Sequence, residues 1–439
     1  MNRSRQWALV AFTALVIAAG GLASYRYWPA SLPSVEEEAH SYVAVALALG
    51  RYAPAEVDSY FGPAALQRRA TQTAPATLPQ LSDQVAHLLQ QVRRSQAEHP
   101  EPRRARLLGK ILDLQRVIES LKATRQLSFD EQARQLYGIE LAGLELAAPT
   151  QWLTELDGLL PGAGTLVDRM NLWRQQTLIA ADRRAGVFER ALQECRLRTL
   201  QQWPLPSEES LQITWTRKTP AAWHRYQGQY QSQLQINPDA VAYFPSVLSV
   251  ACHEAYPGHH VQYLLLEKAA GEAGLPVEDA VVLLRSRQSV LLEGAANLGV
   301  EMAFTQSQRL GFERDVLLPL AGLSSDIAEK QAAIGRIEVQ LATSILPILR
   351  DYHDGRLSRD AAVQRLQSEA LLPDAGPLLD FTSNLGAYVI GYTAARDLLR
   401  SAITERVAAN GSTAWAEIKH VIERPADADL PFLIVEKPK

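Results

Sequence analysis

Ser249 to Tyr263 reads SVACHEAYPGHHVQY, and it holds three of the chain's nine histidines, His253, His259 and His260, within eight residues. Glu254 directly follows the first of them. Imidazoles with an adjacent carboxylate near one helix are how metallohydrolases place two zinc ligands and a general base. In the common H-E-x-x-H pattern the second histidine sits four residues on, about 40° around the helix and about 6 Å along it, so both rings reach one ion. Here Pro257 takes that place. Proline has no N–H to bond the His253 carbonyl and its ring crowds that carbonyl, while Gly258 relieves the backbone. The spacing therefore predicts a bulge or broken turn at Pro257-Gly258. If two residues loop out, His259 becomes the second ligand and Glu254 stays beside the metal. His260 matches the azimuth of His253 only in an unbroken helix. There it lies about 10 Å further along, too far for Zn–N bonds of about 2 Å. His259 is preferred, with His260 as a supporting or alternate ligand. The bland alternative is a helix that ends at Pro-Gly with surface histidines. The apolar frame of Val247, Leu248, Val250 and Val261 weighs against it.

Two further stretches carry candidate chemistry. Glu293 lies in LLEGAANLGVE, Leu291 to Glu301, where apolar neighbours would leave a buried carboxylate costly unless it binds a cation. Coming from a second helix, it is the candidate third ligand. Glu301, about two turns on, either orients a ligating histidine or lies exposed. Asn384 to Tyr392 reads NLGAYVIGY, with Tyr388 and Tyr392 on one helix face at i, i+4 and Gly386 and Gly391 permitting close approach. Aromatic core packing explains such a pair. A phenol near a polarised carbonyl can also donate to the developing oxyanion. Arg285, Arg287 and Arg396 can bind a substrate carboxylate, although surface arginines are the commoner case. Cys252 adjoins His253, and a small buried residue behind the site is its preferred role. With Cys195 the only other cysteine, a disulfide framework is excluded but a single bridge is not.

These residues need a body to position them, and 439 residues can bury a large core. The chain is 47% hydrophobic and 21% charged, ordinary for a folded protein. A formal net charge of -4 and the lack of a basic stripe give no case for nucleic acid. At the N-terminus, Arg3 and Arg5 precede an uncharged run from Trp7 to Ala23, then Ser24-Tyr25-Arg26. This reads as a signal-anchor or an export signal over 1–30, with the anchor favoured. The arginines would keep that end in the cytoplasm and place the body in the periplasm, anchored to the inner membrane or free there after cleavage.

The rest reads as mainly α, a large multi-helix body with a deep cleft and a small β-hairpin or edge beside the metal helix. An N-terminal helical region, 31–205, would precede a metal-binding catalytic region, 206–439. Helical patterns cover Val35–Leu49, Leu78–Ser95, Pro102–Thr124, Phe129–Leu146, Thr150–Leu159 and Leu166–Gln201. The β signals are Leu211–Thr216 and Tyr230–Ile236, ahead of Asn237-Pro238-Asp239. They form either an edge for an extended substrate or a structural flap. Helices follow into His253, over Val277–Phe304, Phe312–His353, Ser358–Leu371, Pro377–Ala408 and Thr413–Glu423, before an extended tail.

Together these stretches resemble the DUF885 proteins, a bacterial family of unknown function. That family is itself similar to all-helical zinc peptidases of the thermostable carboxypeptidase and neurolysin type. Its His-Glu-x-x-Pro-Gly-His signature matches closely at His253 to His260, and its Gly/Ser-x-Tyr-x-Ile-Gly segment matches Gly386 to Gly391. The resemblance covers the chain from about Leu211 onward. It implies metal ligation by His253 and His259, base work by Glu254 and a substrate-facing Tyr388, and it sets Asn237 where the family tends to have asparagine. Glu293-Gly294 is kept from the middle signature. Ala295, however, replaces the usual tryptophan, and Glu301 is displaced by one residue, about 100° on a helix. The reading is a zinc-dependent hydrolase holding Zn2+ through His253, His259 and Glu293, acting on a peptide. Its rivals are a zinc esterase or amidase, and a membrane-tethered binding protein with a structural metal or lost catalysis. Oligomeric state is not legible.

Overall fold

The computed structural model describes residues 32–424, except 73, 144–148, 219–220 and 273–275. The expected anchor over 1–30 and the extended tail after 424 lie outside the described residues. The fold is mainly α with two small sheets.

Ser34 opens the first described helix, Val35–Tyr52, through a capping box with Glu37, which explains why the acidic run sits in the first turn. The helices Leu78–Glu98 and Pro102–Lys122 start at Pro79 and Pro102, residues that suit a first turn because the missing N–H has no helical partner there. Their apolar stripes bury Leu81, Val85, Leu107, Ile111 and Leu114 against Tyr42 and Val43 in a core of their own. Two short strands that the sequence reading missed tie this core to the rest. β1 (Val57–Tyr60) pairs antiparallel with β5 (Val281–Leu283), and Val281 and Leu283 join the N-terminal core. Ion pairs run alongside, Arg103 to Glu278 at 3.0 Å and Arg287 to Asp113 at 2.8 Å.

The larger core gathers Phe129, Phe188, Val247, Leu291, Ile348 and Leu399, so residues on both sides of position 205 share it. Phe129–Tyr137 stops earlier than expected, because Gly138 turns left-handed and its N–H caps the helix. The single helix expected over Leu166–Gln201 is two, Leu166–Gln176 and Arg184–Leu200. Between them the backbone pairs with the run-in to the metal helix: Ile179 N–H donates to Ala242 O and Phe244 N–H to Thr177 O. Those tertiary bonds replace a helical turn.

The expected β signals are strands, β2 (Ser210–Trp215) and β4 (Gln231–Ile236), but they are not each other's hairpin partners. A third strand, β3 (Ala222–Gly228), forms the hairpin with β4, and β2 adds parallel to β4 on the other side. The outer edge of β3 thus has no strand partner among the described residues. Cys195 and Cys252 form a disulfide across 57 positions, the single bridge that two cysteines allow, and Cys252 is buried behind the site.

Val277–Phe304 begins with a 3₁₀ turn and β5, and the helix proper is Arg287–Asn297, N-capped by Ser286. Phe312–His353 is likewise segmented, with Gly322 left-handed at one break. Pro377–Ala408 consists of Gly376–Leu385, a 3₁₀ stretch Gly386–Tyr392, and Ala394–Asn410.

Candidate metal centre

The helix Phe244–Glu254 buries Phe244, Val247, Leu248, Ala251 and Cys252, which fixes the face on which His253 and Glu254 emerge in its last turn. It stops at Ala255, and the chain passes a cis Tyr256-Pro257 bond before a new helix begins at His259. Gly258 makes the return, its N–H bonding Cys252 O at 2.9 Å. A Cβ at Gly258 would overlap the His253 carbonyl, so the turn needs glycine for close approach. The outcome is the looped-out geometry: the rings of His253 and His259 lie 4.7 Å apart at 86°.

Glu293 enters from Arg287–Asn297, with Oε1 3.2 Å from His253 Nε2 and Oε2 3.6 Å from His259 Nε2. One ligand atom from each of the three lies within 4.8 Å of the others. For metal–ligand bonds of about 2.0–2.2 Å, tetrahedral donors stand about 3.3–3.6 Å apart. Two imidazoles and one carboxylate are a donor set that suits a divalent ion, and this cluster can hold a metal. Burial would raise the Glu293 carboxyl, but the charges and hydrogen bonds of His253 and His259 outweigh it and hold it well below the usual range. Burial would lower His259, yet Glu293 brings it up to about 9.

Tyr388 donates to Glu293 Oε2 at 3.2 Å and lies 3.2 Å from Ser289 Oγ. Tyr392 stacks on His253 with centroids 6.1 Å apart and planes 15° from parallel. The stretch is 3₁₀ rather than α, yet the two tyrosines stay together, their rings edge-to-face with centroids 6.4 Å apart and both packed on Phe381. Gly391 lets the segment approach, since a Cβ there would be 2.7 Å from Glu293 Cγ. Burial pushes both phenols well above 10, and the Glu293 charge adds to this, so both remain protonated donors.

His260 is turned away from this cluster. Its Nε2 lies 3.0 Å from Glu209 Oε1 and its Nδ1 2.8 Å from Ser232 Oγ, so it docks the helix that begins at His259 onto β4 instead of joining the cluster. Glu209 also accepts from Tyr256 and, at 2.7 Å, from Arg196. Glu301 is exposed and pairs with Arg400 at 2.6 Å, the exposed one of its two readings. Asn237 closes the turn after β4, its Oδ1 accepting from Asp239 N–H at 3.0 Å. Arg285, Arg287 and Arg396 pair with Glu56, Asp113 and Asp397.

Two neighbours escaped the sequence reading. His224, on β3, stacks 6.1 Å from His259 and bonds Ser232 Oγ at 2.9 Å. Burial, then the nearby His259, His260 and His253, holds it well below 6.5 and neutral. Asp58, on β1, accepts a hydrogen bond from Tyr263 and feels the charges of His259 and Glu293. The alternation of Trp223-His224-Arg225-Tyr226 was the available signal for the first. A four-residue strand offers none for the second.

No family model and no curated protein matches the chain. Among solved structures, a Colwellia psychrerythraea protein provisionally described as a lipoprotein is similar at a TM-score of 0.48 and 14% identity, over 81% of this chain and 68% of that one. A similarity of that degree assigns neither fold nor activity here.

Proposed function

We propose that this protein is a zinc-dependent hydrolase that cleaves peptide bonds, with His253, His259 and Glu293 as ligands and Glu254 as general base. The observation that carries the reading is the convergence of three ligand atoms within 4.8 Å beside a glutamate that directly follows one of the ligands. A purely structural site has no need of that glutamate. Bound there, zinc supplies Lewis acidity toward the carbonyl and makes water a better nucleophile at neutral pH.

Glu254 takes a proton from the attacking water and delivers it to the leaving nitrogen. The water oxygen joins the carbonyl carbon and the C–N bond breaks. Turning from Glu293, the protonated phenols of Tyr388 and Tyr392 donate toward the carbonyl oxygen as it gains charge. The outer edge of β3 offers backbone groups to an extended peptide. The resemblance to the DUF885 proteins supports the same assignment. A buried disulfide suits an oxidising compartment, which supports placing the body in the periplasm.

The test is metal content and peptide-library hydrolysis on purified protein. About one zinc per chain is expected. Glu254→Gln should keep the zinc and lose about 10²–10⁴-fold in rate. A protein without metal, or a Glu254→Gln variant as active as wild type, refutes the assignment.

A further inference from the structure

A cavity of ≈ 650 Å³ lies between the N-terminal helices and the three-stranded sheet. Residues between Leu47 and Thr71 form one wall, and Arg225, Tyr226 and Gln227, consecutive on β3, form the other. The cavity therefore borders the strand whose outer edge has no partner. Stacked rings lead from it to the metal centre: Tyr226 on Tyr263 at 5.6 Å, Tyr263 on His224 at 5.7 Å, and His224 on His259 at 6.1 Å.

Asp58 stands where this cavity meets the site. Val57 pairs with Leu283 and Ser59 with Val282, so Asp58 is the extra residue of a β-bulge. Bulges re-aim side chains and are over-represented beside active sites. Tyr263 donates to Oδ2, and no cation pairs with Asp58 among the described residues. Glu293, by contrast, is matched by two histidines. Asp58 is exposed to solvent through the cavity and enclosed by protein otherwise; that enclosure pushes its carboxyl up, the Tyr263 hydrogen bond and the His259 charge oppose this, and Glu293 adds to the rise. A carboxylate so placed gains from a bound cation.

We infer that Asp58 binds the amino-terminal ammonium of a short peptide whose first residue occupies this cavity, which makes the protein an exopeptidase working from the amino terminus. The inference rests on the hydrolase reading above. An ammonium brings a positive charge and three donors to Asp58, and an acetylated terminus brings no charge. The cavity volume falls in the range of small-ligand sites.

The experiment is calorimetric binding of tetra-alanine, N-acetyl-tetra-alanine and tetra-alanine amide to zinc-loaded Glu254→Gln protein, which binds without cleaving. The two free-amine peptides should bind about ten- to a hundredfold more tightly than the acetylated one. Adding Asp58→Asn or Asp58→Ser should erase that preference, and Asp58→Glu should retain much of it, with zinc content and melting temperature as folding controls. Equal affinities, no binding of any peptide, or a preference that survives in a folded neutral variant overturns the inference. So does a loss on amidation alone, which would assign the cavity to a carboxylate at Arg225. The comparison on unmutated Asp58 decides the matter even if both neutral variants misfold. A wild-type enzyme that holds zinc and cleaves blocked and free peptides equally overturns this inference alone. Absence of zinc, or of hydrolysis of any peptide, overturns the parent reading.

Discussion

Glu293 shows how much one side chain depends on what is missing around it. It reaches both histidines because Gly391 has no Cβ, and Tyr388 holds one of its oxygens from the far side. Gly391→Ala would set a methyl 2.7 Å from Glu293 Cγ and displace the carboxylate. Zinc affinity, measured by competition with a chelating dye, should fall about 10–100-fold, while overpacking costs only about 1–3 kcal/mol of stability. Unchanged affinity would show that the ligand has room to move. Glu293→Ala should weaken zinc binding further, whereas Glu301→Ala should leave it within twofold or so, as expected of an exposed ion pair. The His253, His259 and Glu293 cluster was legible in the sequence because its members carry local signatures: Pro257-Gly258 for His259, an apolar setting for Glu293. Asp58 and His224 were not, since each acquires its neighbours only through strand pairings set by tertiary structure.

At the scale of elements, the helix that begins at His259 is fixed by its attachments more than by its propensity. His260 clamps it to Ser232 on β4 and to Glu209 ahead of β2. Burial would raise the Glu209 carboxyl, but hydrogen bonds from His260, Tyr256 and Arg196 prevail and hold it at about 2, below its ordinary 4.5. A depressed folded-state pKa contributes stability that is fully present above pH 4.5 and fades as pH falls from there toward 2. The stability gap between wild type and Glu209→Gln, read from urea midpoints, should hold steady near neutrality and shrink through that window. A gap independent of pH would remove Glu209 from the clamp. Helices with capping boxes and unbroken stripes could be read from sequence, and Thr150–Leu159 matches to the residue. Where a run was really two helices, as at Thr177 to Arg183, backbone bonds to a distant segment decided the matter, and no local pattern encodes those.

For the molecule as a whole, two apolar cores meet along β1–β5, and the proposed site takes Asp58 from one side and its metal ligands from the other. Arg287 and Asp113 bind across the same seam, both largely buried. Arg287→Ala leaves Asp113 with only the half-exposed Arg116, at 3.2 Å, and should cost about 1–3 kcal/mol. Under the exopeptidase reading, it should also raise KM for free-amine peptides more than it lowers kcat, because it loosens the wall that bears Asp58. An equal loss in both parameters would mean that the seam serves stability alone.

The bridge between Cys195 and Cys252 has a topological result. With the intervening backbone it makes a covalent ring that contains all of β2, β3 and β4. A protease that nicks the chain anywhere between these cysteines opens the ring without parting the molecule. Such a cleaved form should migrate as one species on a non-reducing gel and as two once a thiol is added. The histidines would stay joined by sulfur to the helices upstream, so the protein could outlast a cut that severs its main chain.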